Sequence, residues 1–124
     1  MCQMLLSINP QFVAKIISGT KKYEYRKFRC NRDVDKIIIY STSPVKYVVG
    51  EVKIEYILED TLDKIWEKTK DFSGISKDFF DKYYQGKKKA VAYKLGKPKI
   101  YKTPKTLENI GVKTAPQSYC YLYN

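Results

Sequence analysis

"SGTKKYEYRKFRC", residues 18–30, crowds basic side chains around one acid, Glu24, in a chain of 124 residues with a formal net charge of +11. All three arginines of the chain, Arg26, Arg29 and Arg32, fall in this stretch or just beyond it. Gly19 reads as the stop of a preceding helix, and from Lys22 onward the period changes to two. Tyr23 and Tyr25 then share one face of a strand, with Lys22, Glu24 and Arg26 on the other. Glu24 and Arg26 are about 7 Å apart along that strand, close enough to act on one ligand. The ammonium of Lys21, just ahead of the strand, reaches the same space. Such a set can hold a phosphate or a polar base edge, and a desolvated lysine can act as a base or nucleophile. The competing reading is a solvated strand face, whose lateral ion pairs are worth about 0–1 kcal/mol.

Around this stretch the pattern is mixed. Met4 to Ile8 opens a sheet, Asn9-Pro10 caps a short helix, and Phe12, Val13, Ile16 and Ile17 form its apolar face. Ile37 to Tyr40 is a short buried strand, closed by the hydroxyl-rich loop Ser41-Thr42-Ser43. The next strand alternates, with Val48, Gly50, Val52, Ile54, Tyr56 and Leu58 on one side. Gly50 lies on that apolar side, where a missing side chain lets the sheet bend or another backbone approach. Thr61 and Ser76 cap two further helices. Ala90 to Leu95 and Tyr119 to Tyr123 finish the sheet, joined by a Pro/Lys-rich connection. Short strands around one core, with few helices, predict an α+β fold: a partly closed mixed β-barrel of five or six strands with helices packed outside. Residues 1–124 read as a single domain.

Composition narrows the function classes. At 44% hydrophobic and 30% charged, and with apolar runs of only a few residues, the chain is neither disordered nor membrane-spanning. Its start lacks the pattern of a signal peptide and is expected to be the first strand of a mature protein. Cys2, Cys30 and Cys120 are odd in number and lack metal-site spacing, as in a reduced cytoplasmic protein. With no histidine in the chain, Ser-His-Asp and Cys-His catalysis and His-ligated zinc are excluded. Neither a phosphate-binding P-loop nor a dinucleotide fingerprint occurs, and no cofactor or metal is expected. Between Asp81 and Glu108 there are nine lysines and no acid. Lys87, Lys88, Lys89, Lys97 and Lys99 are therefore candidate phosphate contacts, against a merely solvated face. Tyr119, Tyr121 and Tyr123 share a strand face that suits either base stacking or barrel packing, with packing the favoured reading. Phe79, Phe80, Tyr83, Tyr84 and Trp66 read as core. Ser41, Thr42 and Ser43 either contact a ligand or satisfy their own turn.

Gly19, Lys21, Glu24 and Arg26 stand at the spacing G-x-K-x-x-E-x-R, which resembles the signature of the ASCH domain, a branch of the PUA-like superfamily. "IIIYSTSPVKYVVGEVKI", "IWEKTKDFSGISKDFFDKYYQG" and "PQSYCYL" resemble further segments of small stand-alone members. The likeness runs from about Met4 to Tyr123. It implies a PUA-like barrel with a cleft between barrel and helices, lined by Lys21, Glu24 and Arg26. Ser41 to Ser43 and Gln117, Ser118 and Tyr119 would complete the wall. The family is regarded as RNA-binding and linked to translation or transcriptional coactivation. One branch deacetylates N4-acetylcytidine with the signature lysine, a threonine and a downstream glutamate; ribonuclease activity is described for another. Here Glu24 stands at that threonine's place, Thr20 and Thr69 do not, and the nearest downstream acids are Glu67 and Asp71. A carboxylate does not replace a hydroxyl as a nucleophile, which counts against that deacetylation.

The first reading is therefore a domain that binds RNA or a modified nucleotide in a Lys21/Glu24/Arg26 cleft. The second is a small metal-independent hydrolase of a modified nucleoside or RNA, with Lys21 as base and Glu24 its partner. The third is an adaptor for a protein partner. None of the three involves a membrane, and oligomeric state is left open.

Overall fold

Asn9 and Pro10 turn the chain from its first strand into its first helix. The Asn9 side chain accepts a hydrogen bond from the Gln11 amide, and Pro10 occupies a position whose missing N–H is not needed. In the computed structural model, which describes residues 2–30 and 33–123, this yields β1 (Cys2–Ile8) and α1 (Pro10–Ser18). There follow β2 (Tyr23–Arg26), β3 (Val34–Ser41), β4 (Tyr47–Thr61), α2 (Leu62–Thr69) and α3 (Lys77–Tyr83). β5 (Lys89–Leu95), β6 (Lys99–Lys105) and β7 (Tyr119–Tyr123) complete the order, and short 3-10 turns cover Lys70–Phe72 and Glu108–Ile110. Arg32 and the side chains of Cys2 and Tyr123 lie outside the described residues. Thr61 and Ser76 cap α2 and α3 as their sequences predict, accepting from the Lys64 and Phe79 amides.

The strands form one seven-stranded sheet in the order β2-β5-β4-β3-β1-β7, with β6 paired to β4 off this path. β1 and β3 are parallel and the other pairings antiparallel. The mixed α+β class and the helices outside are as the sequence predicts. The strand number is not: there are seven rather than five or six, and backbone pairing does not close them into a barrel. The additional strand is β6. Almost all its residues are exposed and it contains Pro104, so it carries neither an alternating nor a buried pattern.

Consecutive apolar residues in β1 and β3 are buried because both sheet faces are covered. Leu6, Ile37 and Ile39 pack with Val13 and Ile16 of α1. Leu5 and Ile38, pointing the other way, pack with Val48 and with Leu107 and Val112 of the β6–β7 connection. A third cluster joins Tyr23, Tyr25, Ala90 and Ala92 to Ile65, Phe80 and Tyr84 of the helical segment. Ile17, assigned by periodicity to the apolar face of α1, is 47% exposed. In β4 the predicted alternation already breaks at its start: a register shift beside Val49 puts Val48 with Leu5 and Ile38, while Val49 and Val52 pack against the first cluster. A second register shift, between Ile54 and Tyr56, turns Tyr56 outward and Ile57 toward the core. Tyr121 packs against the first cluster while Cys120 and Leu122 pack against that of Leu5 and Ile38. For Tyr121 this is the barrel-packing reading rather than an open stacking face.

Gly50 pairs with Ile100 of β6. A Cβ at that position would stand 2.6 Å from the Lys99 carbonyl oxygen and 3.3 Å from the Ile100 Cα. The missing side chain thus admits another backbone, one of the two roles its place in the strand predicts. Gly50→Ala should force β6 off β4 and cost roughly 1–3 kcal/mol as an overpacking change. Urea unfolding of the variant against the parent measures this, and an unchanged midpoint would show that β6 shifts at no cost.

Candidate functional site

Arg26 is the last residue of β2, at one end of the strand order, yet its side chain reaches the other end. Its Nη1 donates to Ser118 Oγ at 3.0 Å, just ahead of β7, and its Nη2 donates to the Ser7 carbonyl in β1 at 3.3 Å. The Glu24 carboxylate completes the grip, 2.8 Å from Arg26 Nη2. Side chains thus bridge the seam that backbone pairing leaves open. The seam contains a cavity of about 170 Å³ between the end of β1, α1, β2 and α3. Its polar lining is Ser7, Asn9, Lys21, Glu24 and Arg26; its apolar lining is Ile8, Phe12, Tyr25, Ile75, Phe79 and Tyr83.

A solvated strand face is ruled out by burial: Lys21 is 3% exposed and Glu24 7%. Lys21 Nζ donates to the Ser73 carbonyl at 2.8 Å. It also stands 4.9 Å from the Tyr25 ring centroid and 5.4 Å from that of Phe12. Desolvation pulls the Lys21 ammonium down from its ordinary value to about 8, opposed by the Glu24 charge and assisted by Lys15 and Arg26. The same desolvation holds the Tyr25 hydroxyl up to about 12. Arg26 Nε is buried without a hydrogen-bond partner among the described residues.

The turn between α2 and α3 fixes the lysine. Gly74 has φ +70°, and a Cβ there would stand 2.5 to 2.8 Å from Cβ, Cγ and Cδ of Lys21. The stem of Lys21 therefore lies directly on the Gly74 backbone while its head bonds to Ser73. Lys15 Nζ donates to the Gly74 carbonyl at 2.9 Å and ties the turn to α1. No sequence pattern singled out Gly74; only the packing does.

Lys21, Glu24 and Arg26 are brought together as expected, and of the other predicted wall residues only Ser118 joins them. Ser41 is buried within β3, and the Thr42 amide donates to the Ile8 carbonyl. The 41–43 loop therefore supports the end of β1 from behind, and Ser41, Thr42 and Ser43 contribute no cavity lining. Of the 117–119 segment, Ser118 holds Arg26, while Gln117 and Tyr119 are exposed and do not line the cavity. Phe79 and Tyr83, read from sequence as core, are cavity walls, with Phe79 44% exposed and edge-on to Phe12. Their helical spacing from the buried Phe80 and Tyr84 concealed this. Glu67 and Asp71 are exposed, Glu67 pairing with Lys70. Thr69 is buried, accepting from Tyr25 Oη and donating to the Ile65 carbonyl, and Thr20 is exposed.

The lysine block does not form one face. Lys87, Lys88 and Lys89 lie at one end of β5 and Lys97 and Lys99 beyond the other, all exposed, separated by the ~20 Å length of the strand. Among the described residues no group of acids, cysteines or histidines is placed to hold a metal ion, and no helix is long and apolar enough to cross a membrane.

A family model, described as the ASCH domain, matches residues 6–108. The chain belongs to the ASCH domain family. The crystal structure of ASCH from Zymomonas mobilis superposes with a TM-score of 0.88 and 27% identity, covering 98% of this chain and 87% of that one. The fold is PUA-like, as for the ASCH structures it resembles. A Zymomonas mobilis protein named ASCH domain-containing ribonuclease is 30% identical over 94 residues, 75% of this chain and 64% of that protein. A Ureaplasma parvum protein named large ribosomal subunit protein uL22 is 38% identical over 87 residues, 70% of this chain. The chain spans only 28% of that second relative.

The depressed Lys21 value generates a test of the site. Between pH 8 and 10 the folded chain has shed this proton while the unfolded chain, with an ordinary lysine, keeps it. Because the unfolded state then binds more protons, stability rises with pH across the window. The gain is on the order of 2 kcal/mol, lost on replacing the lysine by an uncharged residue of similar length. Urea unfolding of parent and Lys21→Met at pH 7, 8, 9 and 10 measures it. The window closes near pH 10, where unfolded tyrosines ionise and Tyr25 pulls in the opposite direction. Parallel curves for the two chains would mean that Lys21 titrates normally.

Proposed function

We propose that the chain acts on single-stranded RNA, taking one unstacked base, ordinary or modified, into the cleft floored by Lys21, Glu24 and Arg26. The observation that carries this reading is the chemistry of the cavity: apolar and aromatic walls around a buried set of donors and an acceptor, in a volume of about 170 Å³. Stacking between aromatic walls and hydrogen bonding to a base edge is how unpaired bases are recognised. Arg26 Nε–H, buried and unpartnered among the described residues, is a donor that an acceptor on the base would satisfy. The net charge of +11 suits a polyanion, and the relative named a ribonuclease makes RNA the favoured one.

A second reading is cleavage without a metal, and Lys21 favours it. At a value of about 8 an appreciable share of Lys21 is neutral near physiological pH and can accept a proton. Proton transfer from a ribose 2′-hydroxyl to Lys21 Nζ, attack of the 2′-oxygen on the adjacent phosphorus, and departure of the 5′-oxygen, which takes a proton from water to leave as a 5′-hydroxyl, would give a 2′,3′-cyclic phosphate. Deacetylation of acetylated cytidine is not expected, because Glu24 offers no hydroxyl nucleophile.

Titration of a single-stranded RNA at several salt concentrations tests the binding reading. The expected log–log slope is roughly −0.7 per phosphate contacted, with Lys21→Ala weakening binding more than Lys21→Arg. If cleavage occurs, Lys21→Arg should bind and not cleave, since arginine does not shed its proton, and a chelator should leave the rate unchanged. Salt-independent binding unaffected by Lys21→Ala would remove the reading.

A further inference from the structure

Two buried tyrosines outside the cavity hold both ends of the segment that follows β2. Tyr84 Oη donates to the Arg26 carbonyl at 2.8 Å, and Tyr93 Oη accepts from the Cys30 amide at 2.9 Å. Both rings are almost wholly inaccessible, so the anchors do not yield easily. Between them Lys27, Phe28 and Arg29 face solvent. Phe28, 66% exposed, is the most exposed large hydrophobic side chain among the described residues. An aromatic ring displayed on a segment pinned at both ends is pre-organised for contact, because little conformational entropy remains to be lost on binding.

Its surroundings define the partner's chemistry. Lys87 Nζ lies 5.0 Å from the Phe28 ring centroid and Lys27 Nζ 4.8 Å from that of Tyr83. Tyr83 is also a wall of the cleft, so the patch is continuous with its mouth. Cations alternating with aromatic faces complement a chain of phosphates and bases.

We propose that Phe28, with Lys27, Arg29 and Lys87 around it, is a second contact for single-stranded RNA. The base next to the one in the cleft stacks on the Phe28 ring, and the adjoining phosphates lie against the three cations. The inference rests on the cleft reading, since it assigns the RNA's path away from that site. Of the lysines read from sequence as phosphate contacts, it assigns Lys87 to this path.

The test compares a fluorescently labelled single-stranded RNA decamer with uridine and cytidine monophosphates. Phe28→Ala should weaken the decamer about five- to a hundred-fold, the range expected for one lost base–aromatic stack. Monophosphate binding, followed by amide shifts at Lys21 to Arg26, should be unchanged. Because Phe28 is exposed, the variant should keep the parent's urea midpoint. In Phe28→Trp the decamer should quench emission beyond any change shown by Trp66 in the parent. Decamer affinity unchanged in Phe28→Ala, with no added quenching in Phe28→Trp, overturns the platform and leaves the cleft standing. Quenching that persists in Phe28→Trp carrying Lys21→Ala at undiminished affinity supports the platform and overturns the cleft. No decamer binding by the parent overturns both, and would turn attention to a protein partner for this patch.

Discussion

The ion pair between Glu24 and Arg26 stands where the sheet fails to meet itself. β2 and β7 are the ends of the strand order and share no backbone ladder; among the described residues the Arg26 guanidinium reaches across to Ser7 and Ser118 while Glu24, on its own strand, holds it. Burying such a pair costs several kcal/mol of desolvation per ion, so a closed backbone ladder would be the cheaper way to join the strands. The open seam, however, leaves room for a cavity that a closed barrel would fill with side chains. Removing Arg26 alone would strand a carboxylate that is 7% exposed, which is why the pair has to be considered as one structural unit.

Lys21 is held by a different device. Among the described residues its charge is not neutralised by a close ion pair; instead the Ser73 carbonyl accepts one hydrogen bond, two rings face the ammonium, and the Gly74 backbone seats the stem. This arrangement restrains the lysine without stabilising its charge as strongly as a carboxylate contact would, and desolvation wins. The difference from Arg26 follows from side-chain chemistry. A guanidinium stays charged under such burial, whereas an amine at the same depth gives up its proton more readily. One seam thus contains a permanent cation and a conditional one.

Much of this was legible along the chain, and the limits have physical causes. Caps at Asn9, Thr61 and Ser76 are local: the side chain bonds an amide two or three residues on, and sequence reports it directly. Lys21, Glu24 and Arg26 were legible because one strand carries the acid and the arginine and a neighbouring turn the lysine. Ser41 to Ser43 looked like site residues because they end a buried strand, but which side of β1 they reach is a tertiary matter. Phe79 and Tyr83 looked like core because they neighbour Phe80 and Tyr84 on a helix; only the width of the seam leaves their faces uncovered. β6 is an edge strand of lysines and a proline, held by Gly50's missing side chain rather than by its own pattern. The β4 alternation failed at two register shifts, beside Val49 and between Ile54 and Tyr56, each of which reverses the side chains beyond it.

Charge at the floor of the seam bears on what can enter it. With Lys21 protonated, Lys21, Glu24 and Arg26 sum to one positive charge; with Lys21 neutral they sum to zero. A phosphate reaching the floor would meet the Glu24 carboxylate and would have to lose its hydration in an apolar-walled space of about 170 Å³, a large cost for an anion. A base edge, neutral and carrying both donors and acceptors, meets neither objection. Its phosphates would stay at the rim, where Lys27, Arg29 and Lys87 are exposed and hydrated. On this reading the charge of Lys21 is set by the ligand's own position. A phosphate drawn close to Nζ would raise its proton affinity and leave a binding cation, whereas a base that expels water without bringing charge would lower it further toward a working base. Binding and cleavage would then be two outcomes of one geometry, separated by whether a phosphate oxygen or the ribose 2′-hydroxyl meets Lys21 Nζ.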